Sequence, residues 1–92
     1  MSPKLFPEIR DQFGYVVIMY PNDHLPAHIH VYEGEKVARV RFDLPSLGIM
    51  DSNGFRQREL DRLCVILLPY RPQLIAHWNR IHPDFAISDE LN

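Results

Sequence analysis

One cysteine, Cys64, is all that this chain of 92 residues carries, so an internal disulfide is excluded. Cys64 falls in a helical apolar pattern with Leu60, Leu63 and Leu67, where it reads as a small core residue. No apolar run approaches the length of a membrane span, which excludes a membrane-spanning helix. There is no excess of basic residues: ten Lys and Arg stand against twelve Asp and Glu, for a formal charge of −2. That balance excludes a protein that coats nucleic acid over its whole surface, and any anion site must be local. Nothing repeats and nothing is of low complexity. Met1 to Gln12 holds Pro3, Pro7 and four charged residues where a secretory leader would need an apolar stretch, so a cytoplasmic protein is expected.

What is present suits one small folded domain. Hydrophobic residues make up 46% of the chain and charged residues 24%, which argues against global disorder, and this length buries a single core. Residues 1–13, with two prolines and no clear period, read as an irregular arm or a short edge segment. Tyr15 to Tyr20 is an unbroken β-branched and aromatic run stopped by Pro21, as in a strand buried on both faces. His28 to Tyr32 and Lys36 to Phe42 alternate polar and apolar residues on either side of Glu33-Gly34-Glu35. Leu47 to Met50 is a short fourth strand or a loop, so the strands occupy residues 14–50. Asp51 to Gly54 supplies turn and N-cap chemistry ahead of two helices within residues 54–82, with Pro69 and Pro72 bracketing a break between them. An acidic tail follows over residues 83–92. The expected fold is α+β: an antiparallel meander of three to four strands, then two C-terminal helices packed on one face of the sheet.

The most informative stretch is Pro21-Asn-Asp-His-Leu-Pro-Ala-His-Ile-His-Val31, which gathers His24, His28 and His30, three of the five histidines. His28 and His30 stand two apart on a strand and leave the same face of the pleat. A two-residue Gly34-Glu35 turn sets the pairing of that strand with the next, placing Glu33 opposite Lys36. Counting back, Val31 faces Ala38 and Ile29 faces Val40, so one side of the hairpin is uniformly apolar. On the other side His30 lies opposite Arg39 and His28 opposite Arg41, with Tyr32 and Val37 completing that face. A slip of one residue would mix the two faces.

These residues, with Gly54-Phe55, Arg58-Glu59-Leu60, Arg62, Arg71, Leu74 and Trp78-Asn79, resemble the small bacterial domain-of-unknown-function family 4160 from Gly14 to His82. The Asp-His-x-Pro-x-His-x-His-Val string is the specific part of the match. The resemblance implies a neighbouring gene for a second small protein, in an arrangement like a toxin and antitoxin pair, and carries no settled chemistry. This chain has Tyr70 where relatives commonly have a histidine, and Pro69 and Pro72 interrupt a segment that is more regular in them. The role of that helical histidine is therefore not carried over.

Three readings of the cluster follow. In the first, Arg39, Arg41 and Tyr32 bind a phosphate or single-stranded RNA, and His28 and His30 act as base and acid in a metal-independent, ribonuclease-like cleavage needing no cofactor. In the second, His24, His28 and His30, with Asp23, hold Zn2+ or another divalent transition metal, although two guanidiniums beside the imidazoles would repel it. In the third, the cluster is structural and the domain is a non-catalytic interaction module. Its partner is then a small cognate protein or, through an exposed strand, a second copy. His77 and His82, isolated near the last helix, carry less weight, and Trp78 reads as a core anchor.

Overall fold

Five antiparallel strands lie side by side in chain order: β1 (Lys4–Leu5), β2 (Val16–Met19), β3 (His28–Glu33), β4 (Lys36–Arg41) and β5 (Gly48–Asn53). Helix α1 (Pro7–Phe13) connects β1 to β2, and α2 (Gln57–Leu67) and α3 (Arg71–Ile81) follow β5. The computed structural model describes residues 2–88. The α+β meander followed by two helices is the predicted class, with five strands where three to four were expected. The last part of the expected acidic tail, residues 89–92, lies outside the described residues; Pro83–Phe85 form a 3-10 turn.

Within the N-terminal arm β1 is a short edge strand, and the helix α1 that follows is too short to show a period in the sequence. Pro7 fits the first turn, where its missing N–H is not needed, and Glu8 sits at the positive end of the helix dipole. Ile9 is the one fully buried residue of α1, and Gly14 closes the helix in the left-handed region at φ 83°. A single buried position gives no sequence periodicity. β2 is shorter than the run Tyr15 to Tyr20, and Val17 and Met19 are buried while Val16 and Ile18 are only half-buried, so it is not a strand enclosed on both sides.

The β3–β4 hairpin has the predicted register at every position from His28 opposite Arg41 to Glu33 opposite Lys36. Gly34, at φ 60°, is the only residue of this turn with positive φ, as a II′ turn requires at its first central position. The apolar face carries Val17 and Met19 of β2, Ile29 and Val31 of β3, and Ala38 and Val40 of β4. Leu60, Leu63 and Leu67 of α2 and Leu74, Ile75 and Trp78 of α3 complete the core against them. Each large aliphatic side chain taken from water here contributes roughly 1.5–3 kcal/mol.

β5 runs on through Asp51, Ser52 and Asn53, which the sequence places in a turn. The start of α2 is arranged differently as well: Arg56 is the N-cap, and its backbone N–H donates to Glu59 Oε1 at 2.8 Å. Glu59 Oε2 accepts from Lys36 Nζ at 2.6 Å, so one carboxylate both caps α2 and ties it to β4. The Lys36 ammonium and the Arg56 N–H together hold the Glu59 carboxyl below its ordinary range. Between α2 and α3 the expected break is a 3-10 turn, Leu68–Tyr70, which holds Pro69, while Pro72 enters the first turn of α3. Arg71 is buried at the junction and donates from Nε to the Phe42 carbonyl at 2.8 Å, fixing α3 against the end of β4.

Two glycines make opposite demands. Gly34 has open space around an added Cβ, whereas at Gly54, with φ 93°, a Cβ would sit 3.1 Å from Lys36 Cγ and 3.3 Å from Lys36 Cα. Gly54→Ala is therefore expected to cost more than about 1 kcal/mol in urea unfolding, through both strain and the crowded Lys36 backbone. Gly34→Ala, whose added Cβ meets nothing and brings only the strain of a positive φ, is expected to cost less than Gly54→Ala. Equal losses at the two sites would contradict this account of the β5–α2 corner.

Candidate functional site

β3 delivers His28 and His30 to the sheet face away from the core, and the turn before it returns Asp23 to the same place. The Asp23 N–H donates to the Tyr20 carbonyl at 3.3 Å, and the Leu25–Pro26 peptide is cis. Asp23 Oδ2 then lies 3.2 Å from His30 Nε2 and 3.4 Å from His28 Nε2. One carboxylate oxygen thus faces two imidazole nitrogens. The three side chains each offer a ligand atom within 4.8 Å of the others, and they are the three of the four expected metal-site residues that the structure brings together. His24 is not a member: its ring lies edge-on to Phe85 at 5.8 Å.

The protonation pattern of the cluster follows from its partners. His28 Nδ1 is 2.8 Å from the Pro26 carbonyl, which can only accept, so Nδ1 carries the proton and donates. In the neutral ring Nε2 then presents a lone pair toward Asp23 Oδ2. His28 is almost wholly buried, its ring 5.2 Å from His30 and 6.2 Å from Trp78. Burial pushes the His30 imidazole below its ordinary value; Asp23 opposes this shift, and His28 and Arg39 add to it. At neutral pH His30 is therefore held toward its neutral form, which is the form that binds metal.

A second ring of residues holds the cluster in place. Tyr20 lies edge-on to His30 at 4.7 Å, and its hydroxyl is 3.3 Å from that of Tyr32. That bond, with burial, pushes Tyr20 up to about 12, so the phenol stays protonated. Trp78 is fully buried, as expected of a core anchor, and stacks on His82 at 3.7 Å while donating from Nε1 to the Phe85 carbonyl at 2.9 Å. His82 itself is buried, with Nδ1 3.2 Å from the Trp78 carbonyl and Nε2 3.0 Å from the Tyr20 carbonyl. It thereby clamps the end of α3 to the residue that begins the Asp23 turn. Its isolation in the sequence gives no signal of this.

The arginines stand where the register places them, yet each is already engaged. Arg39 donates from Nε to Asp51 Oδ1 at 3.0 Å and to Oδ2 at 2.9 Å, and from Nη2 to Oδ2 as well. Arg41 holds Asp43 in a fork, Nε to Oδ1 and Nη2 to Oδ2, both at 2.9 Å. Side-chain hydrogen bonds from these guanidiniums lower both aspartates below the usual carboxylate range. Glu33, opposite Lys36, lies 3.8 Å from its ammonium across the turn. Asp51 was hidden because a bulge between Arg39 and Val40 shifts the β4–β5 register by one residue.

A separate surface cavity of about 400 Å³, lined by Lys36, Gly54, Arg56, Arg58 and Glu59, shares no residue with the cluster. Its lysine and glutamate are paired with each other, and the chemistry-bearing groups converge elsewhere. No helix among the described residues is long and apolar enough to cross a membrane.

No curated protein and no solved structure matches the chain. A family model described as Domain of unknown function (DUF4160) matches residues 14–79, a span that holds Asp23, His28, His30 and both arginine pairs. By that match, which covers well over half of its length, the chain belongs to the DUF4160 family.

Proposed function

We propose that the domain binds a divalent transition metal, zinc foremost, through Asp23 Oδ2, His28 Nε2 and His30 Nε2. The observation that carries this reading is the spacing of 3.2 and 3.4 Å from one carboxylate oxygen to the two imidazole nitrogens. Ligand atoms about 2.0–2.1 Å from a tetrahedral zinc stand about 3.3–3.4 Å apart, close to both spacings; the His28 contact is longer than an ordinary N–H···O bond, while the His30 contact also serves as a hydrogen bond to Asp23. All three ligand atoms lie within 4.8 Å of one another, so binding one ion requires the widest pair to close up by side-chain rotation. The Pro26 carbonyl supports the same reading, because metal-binding imidazoles typically donate their other N–H to such an acceptor.

The electrostatic objection to a cation loses its force in this setting. Asp51 offsets the charge of Arg39 and Asp43 that of Arg41, so the guanidiniums beside the imidazoles act as parts of neutral pairs. The competing proposal, an RNA contact face and a metal-independent ribonuclease within a toxin–antitoxin-like pair, needs both imidazoles available for proton transfer, whereas one Asp23 oxygen faces both ring nitrogens. Three protein ligands leave the ion an open position, the arrangement found where zinc serves chemistry more than structure. At such a position a bound water is acidified toward neutral pH.

Elemental analysis of the purified protein after zinc loading and gel filtration is expected to show one zinc per chain. Asp23→Asn and His30→Gln, which nearly keep the side-chain volume, are expected to weaken zinc at least about tenfold, and His24→Ala to leave it unchanged. Stoichiometric zinc retained by both ligand variants, or none in the parent, would sink the proposal. Loading should also stabilise the fold: at free zinc a hundredfold above Kd the gain is about 2.7 kcal/mol, read as a rise in unfolding midpoint that a chelator reverses. An unchanged midpoint would count against a native-state site.

A further inference from the structure

We infer that Arg39 is the anion-binding residue of this metal site, and that the ligand is a phosphoryl dianion shared between the ion and the guanidinium. This deepens the metal reading and rests on it. Arg39 lies directly across from His30 in the β3–β4 register, so the guanidinium stem and the imidazole leave neighbouring points of one sheet face. Side chains so paired stand about 5 Å apart at Cβ, within reach of one small ligand. The Arg39 side chain is 41% exposed and grips Asp51 through Nε and Nη2. Among the described residues no hydrogen bond occupies Nη1, whose two N–H groups remain to meet a ligand.

Charge selects the ligand class. A divalent ion, Asp23 and Arg39 sum to two positive charges once Asp51 is displaced. A phosphoryl dianion cancels that sum, while a carboxylate leaves half of it standing. A guanidinium fork matches phosphate oxygens in shape, and the ion's open position takes another oxygen of the same group. Asp51 is the built-in competitor: its side chain is 54% exposed, so it passes to water at little cost when a phosphoryl group takes its place. The Asp51 carboxylate keeps Arg39 neutralised and aligned with the face. Inorganic phosphate and a phosphate monoester share this chemistry.

The test uses the full chain loaded with Co2+, whose visible absorption reports both the ligand set and any anion that binds the ion. Inorganic phosphate, phenyl phosphate and acetate are titrated in turn. Phosphate or phenyl phosphate should perturb the spectrum at concentrations at least about tenfold below acetate. Arg39→Gln should weaken that response at least about tenfold, and Asp51→Asn should strengthen it a few-fold by releasing Arg39. A response to phosphate alone assigns the free ion, and a tighter response to phenyl phosphate assigns a monoester. Equal affinity for acetate, or a phosphate response that Arg39→Gln does not change, would overturn the inference while leaving the metal site intact. The cobalt spectrum recorded before any anion is added separates the two levels: its absence from the parent protein overturns the metal reading and this one together.

Discussion

Everything on the open face of this domain depends on the pairing register of β3 with β4. Because strand side chains alternate with a period of two, the register that buries Ile29, Val31, Ala38 and Val40 necessarily sends His28, His30, Arg39 and Arg41 to the opposite side. The hydrophobic effect thus fixes the site without touching it: a slip that disordered the imidazoles would also drive four apolar side chains into water. Gly34 supplies the turn that allows this register, and the Glu33–Lys36 pair closes the hairpin behind it.

The site joins that rigid hairpin to a turn that is braced from elsewhere. Asp23 comes from the segment between β2 and β3, which has no ladder of its own. It is held in place by the Tyr20 carbonyl, by the imidazoles it faces, and indirectly by His82 reaching back from the end of α3. The stack of His82 on Trp78 and the ring contact of Trp78 with His28 carry core packing up to the edge of the cluster. Two side chains set on a strand and one on a braced turn form a preorganised group, in which little side-chain freedom remains.

Much of this was legible in the sequence, and what was not has identifiable physical causes. The hairpin could be counted residue by residue because turn chemistry and alternation agree there. Helix α1 could not be seen, since a seven-residue helix with one buried side chain has no period to detect. Within the Pro21 to Pro26 turn no periodicity says which neighbour points inward, so His24 and Asp23 were equal candidates until the fold turned His24 toward Phe85. Asp51 looked like a helix cap because Asp-Ser-Asn-Gly is common there. In the structure, capping falls to Glu59, three residues beyond Arg56, which frees Asp51 for the sheet.

The irregularity in β4–β5 shows how charge on this face is decided by counting. Val40 pairs with Ile49, yet the next residue back, Arg39, pairs with Asp51, so Met50 is passed over. In an uninterrupted ladder Met50 would stand opposite Arg39, and Asp51 would turn toward the apolar side beside Ala38. That single surplus residue therefore acts as a phase shift: it moves a carboxylate from one surface of the sheet to the other and converts an isolated cation into a neutral pair. Insertion or loss of one residue within β5 is thus a route by which the polarity of the histidine face can be retuned while every histidine and arginine stays unchanged.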